Sequence, residues 1–77
     1  MSINKYSAII ESLLYYENDV VSINKIAQIT GLTEEKIKEI IGQLMAEYQN
    51  DIHGLMITEI AGGYSFQIKK EIFPYLK

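Results

Sequence analysis

A winged helix-turn-helix, mostly α with a small β-hairpin, is the fold this sequence predicts. Three observations carry the prediction. Residues 22–48 run as a short helical pattern, a tight turn at Gly31 and a longer helical pattern. After His53-Gly54 the hydrophobic period changes from 3.6 to 2. Two strand-like runs then flank Ala61-Gly62-Gly63, and a glycine pair in that position marks a tight hairpin.

The first helix is expected from Ile3 to about Tyr16, with Tyr6, Ile9, Ile10 and Leu13 on one inward stripe. Asn18-Asp19 interrupts the pattern, and Val20-Val21-Ser22 suits a very short strand. Ser22 is a natural N-cap for a helix that buries Ile23, Ile26 and Ala27, and Gly31 ends it in the left-handed conformation open to a residue without Cβ. Thr33 caps the next helix, and Glu34 and Glu35 sit in its first turn, where the macrodipole favours negative charge. Ile37, Ile40, Ile41, Leu44 and Tyr48 form its core-facing stripe, and it should stop near Gln49-Asn50-Asp51. The wing strands are residues 55–60 and 64–69; Tyr64, Phe66 and Ile68 share one face, and Ser65, Gln67 and Lys69 the other. Pro74 allows at most one or two helical turns in the closing KEIFPYLK.

At 77 residues the chain reads as one domain, 1–77, near the lower limit for a single unstapled core. The absence of cysteine rules out a disulfide framework or a thiolate metal site, and fits a reducing compartment. MSINKYSAII has no apolar segment behind a basic start, so no secretory signal is expected. No apolar run approaches the roughly 18–20 residues of a membrane span. A soluble, cytoplasmic protein is therefore expected. Hydrophobic residues make up 48% of the chain, high for its size; the dense core a small domain needs accounts for most of this, and what is left over would form a contact patch.

The charge balance bears on partners. Seven lysines and no arginine stand against ten acids, for a net charge of −3. Non-specific nucleic-acid affinity comes mostly from Lys and Arg neutralising phosphates, so this balance opposes it. On the second helix of the turn the outward residues are Glu35, Lys38, Glu39, Gly42, Ala46 and Gln49. Major-groove readout favours Arg, Lys, Asn or Gln there, and two carboxylates beside phosphates are unfavourable. Sequence-specific DNA binding through this helix is not expected. Lys69 and Lys70, next to Glu71, read as ordinary solubility charges.

Tyr15 falls opposite the inward stripe of the first helix and Tyr16 on its flank, which makes both candidate protein-interface anchors. Met56 and Ile60, on the outer face of the first wing strand, are a second candidate contact surface. His53 is the single histidine, and no second ligand type accompanies it, so no metal site is expected. No nucleophile–base pair or phosphate-cradling loop is evident, and Gly62-Gly63 leads into a strand rather than a helix. Neither an enzyme nor a cofactor is expected.

Taken together, SAIIESLLYYENDVVSINKIAQITGLTEEKIKEIIGQLMAEYQND and GLMITEIAGGYSFQIKKEIFPYLK resemble the N-terminal winged-helix domain of segregation and condensation protein B. The resemblance runs from about Ser7 to Lys77, and the wing with Ala61-Gly62-Gly63-Tyr64 is its most discriminating part. It implies a non-enzymatic accessory subunit of the bacterial SMC–kleisin condensin complex, acting in chromosome condensation and segregation. It further implies homodimerisation and binding to the kleisin, segregation and condensation protein A, and through it to SMC. The family's second winged-helix domain has no counterpart in these 77 residues. The alternative from a different class is a DNA-binding winged-helix regulator, which a sharply basic face would favour. An RNA-associated winged helix meets the same charge objection.

Overall fold

The computed structural model describes residues 3–76. Its elements follow the order α1 (Ile3–Tyr16), β1 (Val21–Ser22), α2 (Ile23–Thr30), α3 (Glu34–Tyr48), β2 (Leu55–Ile60) and β3 (Gly63–Ile68), closed by a 3-10 helix (Lys70–Leu76). This is the expected winged helix-turn-helix.

The helix boundaries are set by local chemistry. Ser22 holds extended backbone angles, and its Oγ accepts from the Lys25 amide at 3.0 Å, satisfying an orphan donor at the start of α2. Gly31, at φ 75°, turns the chain out of α2 while its amide donates to the Ala27 carbonyl at 2.8 Å. Thr33 repeats the Ser22 arrangement for α3, accepting from the Lys36 amide at 3.2 Å.

The core lies between the three helices and the inner face of the sheet. Ile37, Ile40, Ile41 and Leu44 of α3 form its centre, and Ile26 of α2 with Ile10 and Leu14 of α1 pack on them. Ile57 and Tyr64 close it from the sheet. On α1 the inward register differs from the expectation. Leu14, not Leu13, is fully buried beside Ile10, while Ile9 and Leu13 are half-buried on the flank. Tyr48, expected as the last core position of α3, is half-buried as well.

The wing is a three-stranded antiparallel sheet of order β1-β3-β2, because the two residues of β1 pair with Gly63 and Tyr64 of β3. Ile60 pairs with Gly63, so the hairpin loop is the two residues Ala61 and Gly62. Both have positive φ, 44° and 81°, as a primed two-residue turn requires. Gly63, expected in the turn, is instead a strand residue. The expected two-face alternation of β3 also breaks down. Ser65 is buried as well as Tyr64, and Ile68 is left 37% exposed at the other end of the strand.

Lys69 is the clearest departure. It is 9% exposed, and its ammonium donates to the Asn50 carbonyl at 3.0 Å, just past the end of α3. A cation suits the negative end of a helix. Lys69 is therefore a pin between the wing and α3 rather than a solubility charge.

Candidate protein-interface site

Two surfaces carry the residues singled out as interface anchors. The larger is an open concavity of about 860 Å³ along the outward half of α1. Ile9 and Leu13 lie on its α1 side, Tyr15 and Tyr16 on its rim, and Tyr48 and Phe66 reach it from α3 and β3. Tyr15 and Tyr16 are 76% and 81% exposed. The second surface is the outer face of β2, where Met56 and Ile60 are exposed and only Met56 borders a smaller recess, beside Lys69, Lys70 and Glu71. The fold thus brings the two tyrosines together and sets Met56 and Ile60 apart from them.

Tyr48 organises the larger concavity. Its ring stacks on His53 with centroids 4.5 Å apart and meets Phe66 at 5.2 Å. Its hydroxyl donates to the Glu11 carboxylate, tying α3 to α1 across 37 residues of sequence. His53 is thereby a stacking partner, and no group of three His, Asp or Glu side chains among the described residues could hold a metal ion. The bond to Glu11, helped by burial, raises the Tyr48 phenol to about 12.

That shift has a readable consequence. Below pH 10 the phenol is protonated in both folded and unfolded chains. Between pH 10 and about 12 only the folded chain still holds the proton, so stability must fall as pH rises through this window. Tyr48→Phe is expected to cost about 2 kcal/mol at neutral pH, where it removes one hydrogen bond to a charged group. It should also flatten part of the alkaline decline. The remainder belongs to Tyr64, raised by burial and then by Glu59, and to Lys38, raised by its hydrogen bond to Glu34. Urea midpoints at pH 8 and pH 11 for both chains check this, and equal alkaline losses would remove Tyr48 from the account.

The outward face of α3 is electrostatically closed. Lys38 lies 3.2 Å from Glu34 and Lys36 3.2 Å from Glu39, both pairs on the same helix. The hydrogen bond to Glu34 raises Lys38 above its ordinary value. Lys25 sits 2.9 Å from Glu17. Such exposed pairs add little stability, but they set a carboxylate beside each α3 lysine, where a phosphate backbone would meet like charge. No described helix is long and apolar enough to cross a membrane.

Sequence reasoning located the tyrosines but not the rest of the concavity. Lys5, Ala8 and Ser12 on α1, and Leu55 on β2, also line it. Their spacing along α1 was visible in the sequence; the wall built by Tyr48, Leu55 and Phe66 was not.

Comparison with known proteins matches this architecture. Residues 8–77 fit the family model of the segregation and condensation complex subunit ScpB. Segregation and condensation protein B of Acetivibrio thermocellus is 36% identical over all of this chain and 39% of its own length. The Bacillus subtilis protein of that name is 30% identical over all of this chain and 40% of its own length. The chain thus spans about two fifths of these relatives. A crystal structure of a dimer of the ScpB N-terminal domain complexed with ScpA peptide superposes with a TM-score of 0.91 at 29% identity, covering 96% of this chain and 93% of that one. ScpB from Mycobacterium tuberculosis shares the fold at a TM-score of 0.90 and 14% identity, over 99% of this chain and 48% of that one. With its fold, its wing and residues 8–77 in agreement, this chain belongs to the segregation and condensation complex subunit ScpB family.

Proposed function

We propose that this chain is the N-terminal winged-helix domain of a non-enzymatic accessory subunit of a bacterial SMC–kleisin condensin complex. In this reading it pairs with a second copy of itself and binds the kleisin ScpA. It serves chromosome condensation and segregation in the cytoplasm, reaching the nucleoid through the SMC complex. The observation that carries the reading is the likeness, at a TM-score of 0.91 and 29% identity, to a domain crystallised as a dimer with ScpA peptide. The surplus of exposed apolar groups, Tyr15, Tyr16, Met56 and Ile60 among them, supports a chain that covers surface by association. The whole subunit would add the second winged-helix domain implied by the family.

The test is direct. The 77-residue chain is titrated with the ScpA of the same genome, and the mass and stoichiometry of the eluted complex are measured by light scattering. A co-eluting complex supports the reading. Two separate peaks at tens of micromolar would remove the kleisin contact from this domain.

The helix-turn-helix is expected to act as scaffold rather than as a DNA reader. Fluorescence anisotropy of a labelled random duplex should show no binding tighter than about 100 µM at physiological salt, the weak end of non-specific affinity. The net charge of −3, with no arginine, and the carboxylates beside the α3 lysines are the reason. Affinity that is micromolar at low salt and falls steeply as salt rises would mean phosphate contacts and would favour a regulator.

A further inference from the structure

The wing meets the first turns of α3 at a junction away from the α1 concavity. Tyr64 is 5% exposed and shares the core with Ile37 and Ile41, so the start of α3 lies against this end of the sheet. Glu59 is the cross-strand neighbour of Tyr64; the two side chains share one face, and Glu59 carries that face out to solvent. Glu34 and Lys38 stand one turn apart on α3, bridged at 3.2 Å. All four groups are near enough for their charges to act on one another. We propose that this junction binds an arginine side chain of another protein, its guanidinium held between the Glu59 carboxylate and the Tyr64 hydroxyl.

Two independent observations point to a ligand. The first is the phenol. Tyr64 is buried, yet its hydroxyl has no hydrogen-bond partner among the described residues, and no fully enclosed side-chain polar atom among them is left unsatisfied. The hydroxyl therefore opens at the surface, on the side of Glu59, Lys38 and Glu34. Buried tyrosines ordinarily spend that group on a partner. The second is the charge. Lys38 is taken by Glu34, and Glu59 has no ion pair among the described residues. Two carboxylates thus face one ammonium, and the local field favours a cation: Lys38 is held above its ordinary value, first by Glu34 and in smaller part by Glu59.

The chemistry selects the occupant. A guanidinium is a planar fork that can donate to a carboxylate and a hydroxyl oxygen together, whereas an ammonium is a compact point charge. The 77 residues contain no arginine, so a second copy of them does not supply it. Gly42, one turn beyond Lys38, has nothing within 4 Å of where a Cβ would stand, which leaves room along α3 for the segment that carries the arginine. The carboxylates that turn a phosphate away are the groups that receive this cation. The inference stands apart from the proposed self-association and kleisin binding, and their failure would leave it intact.

The test is a titration of the nitrogen-15-labelled 77-residue chain with the blocked peptide acetyl-Gly-Gly-Arg-Gly-Gly-amide, followed by amide chemical shifts. Saturable shifts are expected at residues 34–38 and 59–64, with a Kd of about 1 mM, which two hydrogen bonds to charged groups can supply. Tyr64→Phe keeps the ring and the net charge and should weaken binding about tenfold; Glu59→Gln, at an exposed position, should weaken it at least as much. Glu47→Gln makes the same change of charge further along α3 and should stay within about twofold. The spectrum of each variant reports whether its fold is kept. Unchanged affinity in Tyr64→Phe and Glu59→Gln removes the site. A loss in Glu47→Gln as large as in Glu59→Gln would mean diffuse attraction to an acidic chain. A lysine peptide that binds as tightly as the arginine peptide overturns the guanidinium assignment. Shifts still absent at tenfold the expected Kd overturn the proposal outright.

Discussion

Gly63→Ala is expected to cost about 3 kcal/mol, more than half of what holds together a domain this small. The reason is space. A Cβ at Gly63 would lie 2.6 Å from Val20 Cγ1 and 2.6 Å from the Val21 carbonyl oxygen, with the Val21 carbonyl carbon at 3.0 Å. The valine methyl can rotate away, but the carbonyl belongs to β1, which pairs with β3 through Val21–Tyr64 and Ser22–Gly63. Relief therefore means displacing β1. Two other contacts would move with it: the N-cap that Ser22 gives α2, and the 3.2 Å bond from the Ile23 amide to the Gly62 carbonyl. Overpacking of this kind costs roughly 1–3 kcal/mol and each lost hydrogen bond about 1 more.

With a urea slope of about 1 kcal/mol/M for a small domain, the Gly63→Ala midpoint should fall by about 3 M. Gly62→Ala is the control. Gly62 has φ 81° but nothing within 4 Å of its Cβ position, so strain alone should cost about 1 kcal/mol. The larger loss must fall on Gly63. A reversed order would show that β1 does not press on β3 as described.

Leu14→Ala should cost about 3 kcal/mol, and Leu13→Ala no more than about 1. Leu14 is 1% exposed among Ile10 and the α3 isoleucines, and truncation there leaves a cavity that the surrounding core cannot fill. Leu13 lies on the concavity, where water or neighbouring side chains can take the vacated space. The comparison should be made by denaturation at the lowest workable protein concentration, so that self-association does not contribute. Equal costs would mean that α1 is rotated from the orientation described.

The pair also marks where sequence reading stopped. α1 carries apolar residues at 9, 10, 13, 14, 15 and 16, nearly all round the helix. Periodicity could therefore place a stripe but not its centre, and the stripe ending at Leu13 was off by part of a turn. On α3 the stripe was unambiguous, because Glu34, Glu35, Lys38 and Glu39 fill the outward positions. Its isoleucine and leucine positions, Ile37, Ile40, Ile41 and Leu44, proved buried.

By itself the sequence determined what is encoded within three or four residues. The caps at Ser22 and Thr33, the left-handed Gly31, the change of period after Gly54 and the outward direction of Tyr15 all depend on near neighbours, and all were legible. The acidic, arginine-free balance was legible for the same reason, being a property of the chain rather than of its folding. Tertiary structure alone decided which glycine needs space and which needs its φ, since Gly63 is constrained by Val20 and Val21, which are remote from it in sequence. It decided that Lys69 is buried, because only the fold brings the end of α3 to its ammonium. It also made the concavity, by tying Tyr48 to Glu11 and setting Phe66 beside α1. Such contacts leave no local signature, because the residues that make them are chosen by packing between elements and not by spacing along any one of them.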